Sequence, residues 1–182
     1  MLLSELIRAP KKGEDIEQSN IFSEVHFSAI DKKLEAILVT PACDLAQKKA
    51  DYAHLCAIMP FEVVLRSKYP EATEASKQIN GFIKEQVTNR SPRYHWVGTI
   101  PGMKGYFVAD FQLLQTIRID KLNTLKRVGI VKSPLRESIP SKFASYAGRV
   151  GLPWGETETE KEIEQVSAFY FKQTSKKAVP QK

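Results

Sequence analysis

Cysteine and long apolar segments are scarce in this sequence, and each scarcity excludes a class of protein. Only two cysteines, Cys43 and Cys56, occur among 182 residues, which is too few for the disulfide framework of a small secreted domain. No apolar run approaches the roughly 20 residues that span a bilayer. The first eight residues place Glu5 among their apolar side chains, with no basic segment ahead of them, unlike a signal peptide. We therefore predict a cytoplasmic protein without membrane segments.

Positive charge is in surplus over an otherwise ordinary globular composition. Hydrophobic residues make up 42% of the chain and charged residues 26%, and the length suits one domain with a sizeable core. The net charge is +6, from 27 Lys and Arg against 21 Asp and Glu. Such a surplus favours a polyanionic partner through counterion release, or it forms a solubilising surface. Composition alone leaves both interpretations open.

The most informative segment is the apolar run 36–39, which is followed directly by Thr40 and Pro41. An uninterrupted apolar run that meets a turn signal predicts a strand buried on both faces. Pro41 lacks an N–H and cannot continue a central ladder, so we expect the strand to end at Thr40. The polar atoms of Thr40, Cys43 and Asp44 should then cluster where the packed sheet opens.

Short strands and tight turns make up most of the remaining chain up to residue 132. Extended segments are predicted at 16–27, 52–59, 61–65, 94–98, 107–119 and 128–131, and helices at 2–8, 70–90, 136–149 and 158–172. Strands joined by tight turns favour a curled antiparallel sheet over a Rossmann fold.

We accordingly predict an α+β fold built on a small, curled antiparallel β-barrel. The barrel domain should cover residues 1–132 and carry a helical insertion at 70–90. A C-terminal helical extension at 133–175 should pack on the barrel. Residues 176–182 should form a disordered basic tail.

Three segments share a further pattern: residues 37–41 are an apolar run ending in Thr-Pro, residues 55–60 are an apolar run ending in Pro, and residues 107–111 with 115–117 contain Ala-Asp and Thr-Ile pairs. In this order they resemble the PemK/MazF-like toxins, a family of small SH3-like β-barrels that cleave single-stranded RNA. Residues 37–41 look like that family's apolar strand ending in Ser/Thr-Pro, and residues 55–60 look like its next strand, which ends near proline. Residues 107–111 and 115–117 are similar to its Ala-Asp-Gln strand and the Thr/Ser-Ile pair that follows. Together these segments cover roughly residues 16–127.

The resemblance implies a ribonuclease site that works without a metal. Thr40 would take the place of the hydroxyl residue at the RNA groove, and Asp110 would match an acidic groove residue. Lys32 or Lys33 would contact phosphate. Such cleavage needs a base for the 2′-OH, a donor for the leaving oxygen and a cation for the developing charge.

The chain also departs from the family pattern at this site. Members commonly place an arginine close to the matching acid, whereas Val108 stands two residues before Asp110 here. Gln follows the acid in the family, and Phe111 follows it in this chain. The helical insertion and the C-terminal helices make the chain much longer than those toxins. These differences place the catalytic role in question and favour a binding role.

The strand at 94–98 offers a second candidate surface. It mixes cations with aromatic rings, as surfaces that stack nucleic-acid bases do. Alternation along a strand places Tyr94 and Trp96 on one face and Arg93 and His95 on the other. We predict that Arg93 and His95 form an exposed polar face that binds RNA or a partner.

Cys43 and Asp44 allow further interpretations. A cysteine beside an acid, with His54 or His95 elsewhere, suggests a nucleophile, but an adjacent carboxylate raises the pKa of a thiol. Asp44 serves either as a turn cap or as a functional acid. The three histidines and two cysteines show no C-x-x-C or H-x-x-x-H spacing, so neither a metal nor another cofactor is predicted.

Two functions are consistent with these observations. The first is a toxin-like or defence-associated protein, of bacterial or phage origin, that binds single-stranded RNA and cleaves it as a metal-independent endoribonuclease. The alternative is a non-catalytic interaction module of a multi-gene system, with the barrel groove docking a cognate protein partner. A homodimer is compatible with either function. The basic charge and the pair Thr40 and Asp110 favour the first, and the departures from the family pattern favour the second.

Overall fold

A seven-stranded antiparallel sheet forms the body of the protein in the computed structural model, which describes residues 6–47, 49–71 and 77–148. The described elements all lie within one compact unit, which ends at residue 147. The strands are β1 (Ile7–Arg8), β2 (Ile21–Phe27), β3 (Lys32–Leu38), β4 (Tyr52–Pro60), β5 (Tyr94–Gly98), β6 (Phe107–Arg118) and β7 (Lys126–Val131). The helices are α1 (Ala42–Ala46), α2 (Phe61–Lys68), α3 (Lys77–Val87), α4 (Ile119–Leu122) and α5 (Leu135–Ala147).

The sheet is curled but open. Its order is β1-β7-β2-β3-β4-β6-β5, so β1 and β5 form the two edges. The curl brings the end of β2 to β6, where the N–H and the hydroxyl of Ser28 donate to Gln115 Oε1 at 3.0 and 3.1 Å. The prediction of an antiparallel sheet with added helices is confirmed, whereas closure into a barrel is not.

The predicted central strand lies in the middle of this sheet as β3. Residues 36–39 have side chains exposed by 3% or less, because strand residues alternate between two apolar layers. One layer includes Phe22, Phe27, Leu38 and Leu55. The other includes Ile21, Ile37, Ile58 and Phe111, and α5 packs on it through Leu135 and Ile139.

A third core lies under α2 and α3. Its buried members are Phe61, Val64, Phe82, Trp96 and Val108. The prediction that residues 61–65 continue a strand is wrong, because β4 ends at Pro60 and Phe61 begins a helix. The spacing of Phe61 and Val64 then places both side chains on one helix face, toward this core. The insertion predicted at 70–90 contains α3, and Ile79 and Phe82 bury its inner face.

The chain ends differ partly from the predictions. Ile7 and Arg8 form strand β1 against β7 instead of the end of a helix. The helix predicted at 136–149 is confirmed as α5. The predicted helix at 158–172 and the predicted tail at 176–182 lie outside the described residues. Among the described helices, none is long and apolar enough to cross a membrane.

Candidate functional site

Asp110 occupies a central row of the sheet, directly before a β-bulge in β6. The row runs across β3, β4, β6 and β5 through Ala36, Ala57, Asp110 and Tyr94. Cys56, the residue before Ala57 in β4, pairs with Leu114 instead of with Phe111, so residues 111–113 lie in the bulge. Bulges bend a strand and re-aim its side chains, and they are frequent beside functional sites.

Arg93 binds Asp110 in a bidentate ion pair. Arg93 Nε donates to Asp110 Oδ1 at 2.8 Å, and Arg93 Nη2 donates to Oδ2 at 2.6 Å. The carboxylate also accepts the N–H of Gln112 at 3.0 Å, and its side chain is only 1% exposed. The Arg93 side chain is 43% exposed. The pair therefore joins a buried anion to a cation at the surface.

The surroundings hold this guanidinium in one orientation. The carbonyl of Arg93 accepts the N–H of Phe111 at 3.0 Å, so its backbone is anchored to β6 as well. Its Cζ atom lies 4.8 Å from the centre of the Tyr94 ring. The hydrogen bond to Asp110 raises the pKa of Arg93 above its usual value. Asp110 takes two of the five N–H donors of the guanidinium, which leaves three for other acceptors.

Both residues were predicted from the sequence, but their pairing was not. The guanidinium comes from the segment before β5, 17 residues before the acid. The antiparallel register of β5 with β6 sets Tyr94 opposite Asp110 and brings the two side chains together. No local signal in the sequence marks that register.

The prediction that His95 shares an exposed polar face with Arg93 is wrong. Tyr94 and Trp96 do lie toward the same core, but the opposite face of β5 is covered. His95 is 1% exposed and packs beside Phe111, with ring centroids 6.3 Å apart. The reason is α5, whose Ser138 hydroxyl lies 3.0 Å from His95 Nε2.

His95 is uncharged in this setting. Burial lowers the pKa of His95 to about 4, although a hydrogen bond to the Trp96 carbonyl acts in the opposite direction. In the neutral tautomer that fits the network, Nδ1–H donates to that carbonyl at 2.9 Å and Nε2 accepts from Ser138. His95 thus links β5 to α5 and is not available at the surface.

Acidification should destabilise the protein through His95. The folded-state pKa of about 4 lies below the ordinary value of 6.5, so the unfolded chain binds the proton first as the pH falls. Stability should decrease from about pH 6.5 downward, with about 2 kcal/mol lost by pH 5. Urea unfolding between pH 7 and 5 measures this loss. The variant His95→Gln should flatten the profile, and the exposed His26→Gln should not. Equal profiles for all three proteins would contradict the assignment.

Thr40 and Asp44 lie apart from the ion pair. Thr40 is 2% exposed, and its Oγ1 accepts the N–H of His54 at 2.8 Å. His54 is three residues from Ala57, the partner of Asp110 in β4, which corresponds to about 10 Å along the strand. Asp44 lies in α1, where its N–H donates to the Pro41 carbonyl at 3.1 Å.

The two predicted lysines lie on the other side of the central row. Lys32 and Lys33 begin β3 at the β2–β3 hairpin, opposite Phe27 and His26. Lys33 is exposed, and its Nζ lies 3.9 Å from Glu24. Lys33 is three residues from Ala36, the member of the central row in β3. Of the seven predicted site residues, the structure therefore brings only Arg93 and Asp110 into contact.

No metal-binding cluster is found in the described part of the chain. Groups of three or more His, Cys, Asp or Glu side chains that could hold an ion are absent there. Cys43 is exposed, and its Sγ lies 3.5 Å from Asp44 Oδ1. Cys56 is buried, and burial raises the pKa of its thiol well above the usual value. Among the described residues, the predicted catalytic side chains Thr40, Asp44 and Asp110 have no contact with one another in the structure.

Comparison with known proteins gives similarities in structure and none in sequence. No protein-family model matches the chain, and no curated protein matches it. A similar solved structure is that of an endoribonuclease in complex with its cognate antitoxin from a mycobacterial species. The two chains are 13% identical with a TM-score of 0.41, over 78% of this chain and 100% of that chain.

Proposed function

We propose that this protein binds single-stranded RNA through the surface around Arg93. The observation that carries the proposal is the bidentate bond from Arg93 to the buried Asp110, at 2.6 and 2.8 Å. This bond fixes a permanent cation at the surface in one orientation, with three N–H donors left for phosphate oxygens. Because the side chain is already ordered, binding costs less conformational entropy than it would for a mobile lysine.

The neighbourhood of Arg93 suits a single strand. The half-buried Tyr94 ring lies beside the guanidinium, and single-stranded nucleic acids are bound by cations interleaved with aromatic rings. Duplexes keep their bases stacked and offer no free base face to such a ring. The net charge of +6 adds long-range attraction for a polyanion.

Cleavage of the bound RNA stays a prediction, and the positions of Thr40, Asp44 and Asp110 support it less well than the position of Arg93 supports binding. A cleavage site needs the hydroxyl of Thr40 and the acids Asp110 and Asp44 around one phosphate. Asp110 has its carboxylate occupied by Arg93 and Gln112. The Thr40 hydroxyl oxygen accepts the N–H of His54. His54 lies three residues along β4 from Ala57, the residue that faces Asp110. We therefore expect binding without cleavage.

A gel experiment separates the two activities. The protein is mixed with labelled single-stranded RNA, single-stranded DNA and duplex RNA at about 50 mM salt with EDTA present. Native gels should show a complex with single-stranded RNA that is tighter than the complex with duplex. Denaturing gels should show intact RNA for both the wild type and Thr40→Ala.

Two outcomes would change this account. Absence of any complex at low salt would reject the proposed function. Products that form with the wild type and disappear with Thr40→Ala would contradict the expectation of binding alone and establish cleavage.

A further inference from the structure

A cleft separate from the Arg93 surface lies between the segment before β2, helix α1 and the start of α5. Its volume is about 770 Å³, within the usual range of sites for small ligands or for a few side chains.

The floor of this cleft is apolar. Ile16 and Leu45 pack against the core inside the curled sheet while remaining partly accessible. Ala42 and Ala46 extend this floor along one face of α1. Side chains of moderate size, such as leucine or valine, would bury apolar area here.

The rim of the cleft is acidic, in contrast to the chain as a whole. Three carboxylates, Asp15, Glu17 and Glu137, surround one guanidinium, Arg136, so the lining carries a net charge of −2 while the protein carries +6. Arg136 lies 3.5 Å from Glu17 and 3.0 Å from Glu137. These side chains are 45%, 58% and 53% exposed, and exposed ion pairs of this kind are weak enough to exchange partners.

We propose that this cleft docks a short cationic segment of a protein partner, with one or two apolar side chains on the floor. Charge complementarity selects the occupant, because the acidic rim attracts lysine or arginine and repels phosphate. Each rim carboxylate has acceptor positions beyond those used by Arg136. Nucleic acid is therefore excluded from the cleft, and the partner and RNA bind at different places.

A titration with designed peptides tests this inference. The probe is a fluorescein-labelled peptide of Lys and Leu, and the comparison peptides replace Leu by Ser or Lys by Glu. The Lys/Leu peptide should bind most tightly. It should also shift the amide NMR signals of Ile16, Ala42 and Leu45 in the ¹⁵N-labelled full-length protein.

Matched variants separate the cleft from general electrostatic attraction. Asp15→Asn/Glu17→Gln should weaken binding of the Lys/Leu peptide about fivefold, as expected for two exposed ion pairs. Glu62→Gln/Glu71→Gln makes the same change in charge on and after α2 and should leave the affinity unchanged. Leu45→Ser should reduce the preference for Lys/Leu over Lys/Ser.

Three outcomes would overturn the inference. They are equal weakening by both charge variants, equal binding of the Lys/Leu and Lys/Ser peptides, and NMR shifts that lie away from the cleft. Shifts of the amide signals of Ile16, Ala42 and Leu45 on titration with single-stranded RNA would also overturn it, because the acidic cleft would then bind nucleic acid. Failure of RNA binding alone leaves these measurements unaffected.

Discussion

Replacing Arg93 by alanine should destabilise the protein by about 3 kcal/mol, whereas replacing Asp110 by asparagine should cost about 1 kcal/mol. The two side chains share one ion pair, but their environments differ. In the wild type the Asp110 carboxylate is only 1% exposed, and without Arg93 it would keep the N–H of Gln112 as its hydrogen-bond donor. Without the carboxylate, Arg93 is already 43% exposed and can turn toward water. The first change therefore leaves a buried charge unpaired, and the second does not.

Thermal melting measures this asymmetry. The melting temperature of Arg93→Ala should fall by about 6–12 °C, for a chain of this size. The fall for Asp110→Asn should be much smaller. Equal losses for the two variants would contradict the buried-anion account.

The sheet was largely predictable because its strands are marked by local signals. The apolar run at 36–39 and the prolines Pro41 and Pro60 identify two central strands without any knowledge of their neighbours. Residues 61–65 were mistaken for a strand because a short apolar segment carries no decisive period. Their helix is selected by packing of Phe61 and Val64 against Trp96 and Phe82, and sequence alone does not show that contact.

The candidate site was only half predictable for a related reason. The alternation of side chains along β5 correctly placed Tyr94 and Trp96 on one face of the strand and His95 on the other. It does not show which of these two faces a helix will cover. Helix α5 lies 40 residues further along the chain and decides that His95 is buried. The contact of Arg93 with Asp110 likewise depends on the register between β5 and β6. The prediction of the site therefore lacked two long-range facts, which are the register between β5 and β6 and the packing of α5 on β5.

Removing both charges of the ion pair should weaken RNA binding at least tenfold. The variant Arg93→Gln/Asp110→Asn replaces the pair by two amides, so no charge is left stranded in the core. It loses the cation that we propose contacts phosphate, and a lost charge-assisted hydrogen bond is worth about 1.5 kcal/mol or more. Asp110→Asn alone keeps the cation but loses the bond that orients it, so its affinity should lie between those of the wild type and the double variant. Fluorescence anisotropy with a labelled single-stranded RNA measures all three affinities.

A matched control excludes a general effect of charge. Lys12→Gln removes one positive charge beside β1, at the sheet edge opposite β5. This variant should change the affinity much less than the amide pair does. Comparable weakening by Lys12→Gln would show that the RNA is held by diffuse charge instead of by Arg93.

The slope of affinity against salt concentration tests the central claim most directly. Each phosphate contact made by a single strand contributes about 0.7 to the slope of log K against log salt. Between ~50 and ~200 mM salt, the wild type and Asp110→Asn should share one steep slope. Arg93→Gln/Asp110→Asn should have a slope smaller by about 0.7. Parallel lines for the wild type and this double variant would contradict a phosphate contact by Arg93.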